Sequence, residues 1–369
     1  MAAETHSTNP ATMDTRQNDV IIEVRDANVS FSMDRGESRV LRDANLTVQR
    51  GEVLGVVGES GSGKSMLASA MLNAVVHPGQ VDGEVIYHPQ NGDPVDILSL
   101  SDKELAKLRW NEISFVIQAA QSAFNPTMTV GAHFEETLRA HGEDRDAGMA
   151  HARELLSDLY LEPDRVLGSH PHELSGGMKQ RALIALSLVL KPEVLVMDEP
   201  TAALDLLMQR SIIGMLEDLQ EKYDLTMVFV THDMPLVTDL ADRIGVMYAF
   251  EMIEIGSTDN VLDNPSHPYT RALLNAVPNI SDRDMEIRGI EGRSPDPVNI
   301  PKGCTFNPRC PLATKECEVN DPDFRDIEND HEVACFHWER AREDIPLVAR
   351  GDDSHSEPST DGNGSFGGL

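Results

Sequence analysis

Apolar residues along this chain fall into two alternating patterns. Short dense runs have the length of strands buried on both faces: Val53-Leu54-Gly55-Val56-Val57, Ile113-Ser114-Phe115-Val116-Ile117, Val194-Leu195-Val196-Met197, and Thr226 to Val230. Between them lie stretches of helical spacing: Met66 to Val76, Ala132 to His141, Gly148 to Leu161, and the strongly apolar Ala182 to Leu190. Ser101 to Arg109 reads as a short helix opened by a capping box, Ser101 with Glu104. Ahead of these, Val20 to Ser32 and Val40 to Val48 read as strands joined through a turn at Asp34-Arg35-Gly36, and Gly79 to Leu98 as a turn-rich, strand-like insertion. Strand–helix alternation predicts an α/β fold with a mainly parallel sheet, an antiparallel β part, and a helical subdomain inserted at about 120–180. Residues 1–19 and 346–369 are polar and read as disordered tails.

The strand at 53–57 runs into Gly58-Glu59-Ser60-Gly61-Ser62-Gly63-Lys64-Ser65, which fits G-x-x-x-x-G-K-[ST], the phosphate-binding loop, and a helical stretch follows it. Glycines Gly58, Gly61 and Gly63, with Ser60 between them, let backbone N–H groups converge on phosphate oxygens at a helix N-terminus. Lys64 is placed to neutralise β- and γ-phosphate charge, and Ser65 to ligate Mg²⁺. Leu174-Ser175-Gly176-Gly177 sets two glycines at another helix start, a second backbone anion site. Two buried strands deliver Asp198-Glu199 and Thr231-His232-Asp233 at their C-terminal ends, the edge where open α/β sheets bind ligands. Phe31 ends the first strand and is a candidate to stack on adenine; a plain core phenylalanine fits the same pattern.

Composition narrows the setting. The chain has 369 residues with 62 acidic and 31 basic side chains, a formal net charge of −31. That balance argues against a nucleic-acid-binding surface. The acidity is spread along the chain, and distributed self-repulsion is tolerable mainly where salt screens it, so a salt-rich cytoplasm is expected; ordinary solubility is the plainer alternative. No run approaches the roughly 18 apolar residues of a membrane span, and residues 1–19 lack the layout of a signal peptide. A cytosolic protein, or one held on the cytosolic face of a membrane by partners, is expected.

The phosphate loop, Gln118, Leu174-Ser175-Gly176-Gly177, Asp198-Glu199, Ala203-Leu204-Asp205 and His232 stand in the order that resembles the ATP-binding cassette (ABC) ATPases, over about 20–345. Asn264-Pro265-Ser266-His267-Pro268-Tyr269-Thr270-Arg271 and Leu273-Leu274 resemble the C-terminal extension of oligopeptide/dipeptide importer ATPases. The loop and signature are similar to the first of that system's two ATPase subunits. The resemblance implies a phosphate-loop NTPase (RecA-like) core at 20–260 and an importer-type extension at 261–345. It also implies a heterodimer, or a homodimer, of ATPase subunits closing head to tail on two ATP molecules. Two transmembrane permease subunits and an extracellular substrate-binding protein complete the system. In the family pattern Ser175, Gly176 and Gly177 face the partner's phosphate loop, and Asp205 lies at the seam. Asp198 holds Mg²⁺, Glu199 is the general base, His232 contacts the γ-phosphate, and Gln118 senses metal and water. Ile117-Gln118-Ala119-Ala120 departs from the family's Phe-Gln-Asp-Pro, and Ala202 replaces a common Ser or Thr. Peptides are the implied cargo, with nickel complexes or sugars as alternatives. A soluble ABC ATPase is the rival class. Repair forms carry a long coiled coil between loop and signature, whereas here roughly a hundred residues without heptads intervene.

All four cysteines, Cys304, Cys310, Cys317 and Cys335, cluster in one C-terminal segment, which points to a shared site. Disulfides are disfavoured without a secretion signal, and the C-x₂-C knuckle common in structural zinc sites is absent, although zinc stays open. Thiolates also bind iron–sulfur clusters. Pro308-Arg309-Cys310-Pro311 resembles the peptide-importer ATPases, some of which carry a [4Fe–4S] cluster there, and a third reading is an iron–sulfur sensor in which ATP binding is secondary. His331 and His337 are substitute ligands. The site lies far in sequence from the ATP motifs, so its expected task is stapling the extension.

Overall fold

The computed structural model describes residues 20–118, 123–202, 204–276, 290–328 and 330–347. Both expected tails, apart from Pro346 and Leu347, and Ala119, Ala120 and Ala203 lie outside them. The strands run β1 (Val20–Met33), β2 (Gly36–Gln49), β3 (Val53–Val57), β4 (Gln80–Tyr87), β5 (Val95–Asp96), β6 (Ile113–Val116), β7 (Val194–Asp198), β8 (Thr226–Val230), β9 (Arg243–Tyr248), β10 (Glu251–Ser257), β11 (Arg325–Glu328) and β12 (His331–Val333). A four-stranded antiparallel sheet has the order β2-β1-β4-β5. The larger sheet has the order β11-β12-β10-β9-β3-β8-β7-β6. In it β9, β3, β8, β7 and β6 are parallel, and β10, β12 and β11 continue antiparallel.

The dense apolar runs are the central strands because both of their faces are covered. Along β3, Val53 and Val57 enter a core shared with the helical subdomain, while Leu54 and Val56 enter a core shared with the antiparallel sheet. This period-2 division places the phosphate loop at the middle of the sheet. The helix after the loop spans Lys64–Met71, shorter than the expected Met66 to Val76. Asn73 turns left-handed at φ 49°, and the Arg109 guanidinium takes the carbonyls of Leu72 and Asn73.

The inserted helices are Val130–His141, Arg145–Asp158, Pro163–Gly168 and Gly176–Leu188. Gly142 ends the first at φ 77°, as expected of a helix-terminating glycine. Pro163 does more than break the second: it sits in the first turn of the third, where its missing N–H costs nothing. The capping box expected at Ser101 and Glu104 is present.

Described residues beyond 260 pack against the cassette. Val261, Tyr269 and Phe306 lie in the same core as the parallel strands, and the β11–β12 hairpin extends the main sheet from β10. No helix among the described residues is long and apolar enough to cross a membrane.

Candidate active site

The phosphate loop is shaped by backbone that only glycine allows. Gly58 has φ 154° and Gly63 has φ 104°; a Cβ on Gly58 would stand 2.2 Å from the Met247 carbonyl oxygen. Lys64 is buried, and its Nζ donates to the carbonyls of Gly58 and Glu59, both at 2.9 Å. Burial lowers its pKa, opposed by the charges of Glu199, Asp198 and Glu59. Ser65 Oγ donates to Asp198 Oδ1 at 3.0 Å, so a hydroxyl and a carboxylate stand side by side. Burial raises the Asp198 pKa, with Ser65 hydrogen bonding against it. Two hard oxygens and a half-satisfied buried carboxylate suit Mg²⁺, which keeps several waters and takes its other ligands from phosphates.

Adjacent strand ends supply the rest. Glu199 follows β7 at φ 46°, with its N–H held by the Val230 carbonyl at 2.8 Å. Its carboxylate accepts from Gln118 Nε2 at 3.0 Å and lies 3.1 Å from His232 Nδ1. Gln118, Glu199 and His232, expected separately from three segments, therefore meet at one carboxylate.

The signature residues are bonded within their own helix. Ser175 caps Gly176–Leu188 by accepting from the Met178 N–H at 3.3 Å, and a Cβ on Gly177 would lie 2.4 Å from Met208 Cε. Asp205 caps Leu206–Tyr223 by accepting from the Met208 N–H at 3.0 Å. None of the described hydrogen bonds joins Ser175, Gly176, Gly177 or Asp205 to the phosphate loop. Leu206 and Leu207, next to Asp205, are 58% and 81% exposed. Phe31, half-buried in β1, has its ring against Gly79.

Cys304, Cys310, Cys317 and Cys335 are free thiols that line one small cavity with His267, Phe306 and His337. Burial pushes Cys304 and Cys335 up to about 12 and Cys310 up to about 11. N–H groups of Phe306, Leu312 and His337 donate to Cys304, Cys310 and Cys335 and oppose that shift. Among the described residues no group of three or more His, Cys, Asp or Glu is placed to hold a metal ion. His331 Nε2 lies 2.8 Å from Glu254 Oε1 with both side chains fully buried, and His331 is not among the residues that line the cysteine cavity. His337 lines the cavity, and its Nε2 meets the Thr314 hydroxyl at 3.0 Å.

Sequence distance misled on one point: the cysteine segment touches the ATP site. Arg309, beside Cys310, donates to both carboxylate oxygens of Glu59 in the phosphate loop, at 2.9 and 3.0 Å. Burial raises the Glu59 pKa, but hydrogen bonds from Arg309 and Ser294 outweigh it and leave the carboxyl below its usual range. Nothing local announces this pair, since the two residues are 250 positions apart.

Comparison with known proteins agrees with this geometry. Residues 41–202 match the ABC transporter family, and residues 253–317 match the oligopeptide/dipeptide transporter C-terminal region. The dipeptide transport ATP-binding protein DppD of Caldanaerobacter subterraneus is 39% identical over 326 residues, covering 88% of this chain and 98% of the relative. The oligopeptide transport ATP-binding protein OppD of Salmonella typhimurium is 36% identical over 319 residues, covering 86% and 93%. Among solved structures, a dimeric post-hydrolysis ATP-binding cassette bound to ADP and Pi aligns with TM-score 0.56 and 28% identity, over 64% of this chain and 99% of that one. The cassette cbiO1 from Clostridium perfringens aligns with TM-score 0.56 and 26% identity, over 66% and 91%. With the phosphate loop, the signature helix and the carboxylate at the strand edge in hand, the chain belongs to the ABC transporter ATPases, in the branch of the oligopeptide and dipeptide transport ATP-binding proteins.

Proposed function

We propose that this chain is the ATP-hydrolysing subunit of a peptide importer, acting at the cytoplasmic face of the membrane. A second ATPase subunit, two membrane-spanning permeases and an extracellular substrate-binding protein complete the assembly. The observation that carries the catalytic half is the meeting of Gln118, Glu199 and His232 beside the Ser65–Asp198 pair. On nucleotide entry Lys64 exchanges two loop carbonyls for phosphate oxygens, and the glycine backbone supplies further N–H donors. Ser65 and Asp198 would hold Mg²⁺, which would neutralise charge developing on the phosphates. Glu199 takes a proton from the attacking water. Gln118 fixes one of its oxygens, and His232, released from the other, reaches the γ-phosphate.

The signature half, Ser175 to Gly177, is bonded away from this loop, which supports a site completed by the corresponding segment of another subunit. The exposed Leu206 and Leu207 beside Asp205 support the same seam. Likeness to the first of two importer ATPases favours a heterodimer. Phe31 is assigned to the adenine. Peptide cargo is supported by the relatives, which are named for dipeptide and oligopeptide transport.

The cysteine cavity is assigned to an iron–sulfur cluster held by Cys304, Cys310, Cys317 and Cys335. Four thiols and three N–H···S donors around one enclosed space fit such a group. Zinc on the same four thiols is the alternative occupant. The cluster would cross-link a loop-rich segment.

The tests are direct. A strain lacking this chain should lose uptake of labelled di- and oligopeptides, and the tagged chain should co-purify with permeases. Loss of nickel or sugar uptake instead would reassign the cargo, and purification without membrane subunits would return the soluble class. Iron, sulfide and zinc are assayed on anaerobically purified protein beside Cys310→Ser. Zinc in place of iron, or full iron retention in that variant, defeats the cluster.

A further inference from the structure

Every polar group of Glu59 is held, and three of its five partners come from beyond the cassette strands. Its N–H donates to the Tyr269 hydroxyl at 2.9 Å, and its carbonyl accepts from Lys64 Nζ and from the Ser62 N–H. Its carboxylate accepts from the Ser294 hydroxyl at 2.5 Å and from the Arg309 fork. Arg309 is equally complete. Its Nε donates to the Glu291 carbonyl at 2.7 Å, and its remaining N–H groups reach the Ile290 carbonyl and the Tyr248 hydroxyl at 3.2 and 3.3 Å. The side chain is 6% exposed and packs over the rings of Tyr248 and Phe306. A guanidinium with all of its donors engaged is a rigid post rather than a chance surface contact.

From this arrangement we infer that Arg309 is a positioning residue for nucleotide binding, through which the C-terminal extension holds the phosphate loop in its binding conformation. The inference rests on reading residues 58–65 as the ATP loop. Glu59 lies between Gly58 and the remaining glycines, so fixing its side chain and N–H fixes the direction of the backbone donors that follow. It also keeps its carbonyl where Lys64 waits before phosphate arrives. Without the fork the loop gains freedom that must be lost again at each binding event, which weakens affinity while leaving the strand-edge carboxylate in place. Linkage requires the converse: nucleotide must tighten the extension.

The test titrates the full chain with Mg·ADP and follows steady-state Mg·ATP hydrolysis. Arg309→Ala should raise Kd and KM about tenfold, the order of one charge-assisted pair, with kcat within about twofold. Arg309→Lys, which keeps charge but loses the fork, should fall between. In a Glu59→Ala background Arg309→Ala should change Kd no further. Hydrogen exchange over residues 304–317 should slow on adding Mg·ADP, and this slowing should vanish in Arg309→Ala. Mere misfolding would instead lower kcat at unchanged KM. If Arg309→Ala does not fold, Glu59→Gln weakens the same pair from the loop side and should raise Kd in the same direction. Unchanged Kd in a folded variant, or additive effects of the two substitutions, overturns the inference. Lys64→Ala separates the two readings: if it too binds normally, the loop assignment fails, and if it alone loses binding, only the role of Arg309 fails.

Discussion

The nucleotide site and the cysteine site are neighbours joined at Arg309, and they are built by opposite means. Gln118, Glu199 and His232 follow adjacent parallel strands whose register, Val116 with Met197 and Asp198 with Val230, sets their spacing before any ligand arrives. The cysteines are carried by short elements: Cys304 and Cys310 flank a 3₁₀ turn at Asn307–Arg309, Cys317 lies in a helix at Lys315–Val319, and Cys335 follows β12. What core this segment has is lent to it. Phe306 stands edge-on to Tyr248 and Tyr269 with ring centroids 5.1 and 5.5 Å away. A site fixed by a ladder of backbone bonds keeps its shape when empty. A site made of turns depends on a few anchors.

Four substitutions or conditions press on this contrast, from the strongest effect downward. Glu199→Gln should bind ATP yet hydrolyse it roughly 10²–10⁴-fold more slowly, with melting temperature nearly unchanged; near-normal turnover would remove Glu199 from the base role. Phe306→Ala should do the reverse. It should cost about 3–5 kcal/mol by denaturant titration, as removal of a buried ring does, and raise hydrogen exchange first in the extension. Uniform exchange across both regions would erase the contrast.

Acid should separate the regions next. Burial lowers the His267 pKa to about 4, and its neutral Nδ1 accepts from the Tyr269 N–H at 3.0 Å. Native protein therefore binds fewer protons at His267 than unfolded protein does between the ordinary value near 6.5 and about 4. This term lowers stability as pH falls through that window and is absent above it. His267→Asn, which keeps an acceptor and removes the titration, should flatten the slope; an unchanged slope would exclude His267. The smallest effect is the most diffuse. Screening shortens from about 10 Å at 0.1 M to about 3 Å at 1 M salt, so melting temperature should rise by on the order of several degrees with KCl. A flat profile would sink the high-salt reading of the −31 charge.

The legible part of this molecule is the part carried by contiguous residues. Dense runs such as Val194 to Met197 became central strands because length and apolar density suffice to say that both faces are covered. The phosphate loop, the capping box at Ser101 and the cysteine grouping are likewise local patterns. Helix ends were less legible: Asn73, with Arg109 on the preceding carbonyls, stops the first helix early, and only the fold brings Arg109 there. The Glu59–Arg309 pair, the capture of His331 by Glu254 and the merging of the extension with the main sheet were not legible. Each depends on residues far apart in the chain that carry no distinctive neighbours.

The position of β12 bears on how such a cassette can be cut or fused. The hairpin covers the edge of β10, pairing Glu254 with Val333 and Ile255 with Glu332. It leaves Arg325-Asp326-Ile327-Glu328 as the outermost strand, charged at all but one position. A chain trimmed after the helix Pro268–Asn275 would bare an apolar strand edge able to template pairing with other chains. The extension is thus a solubility device as well as a neighbour of the ATP site, and domain shuffling that discards it would have to supply another edge guard.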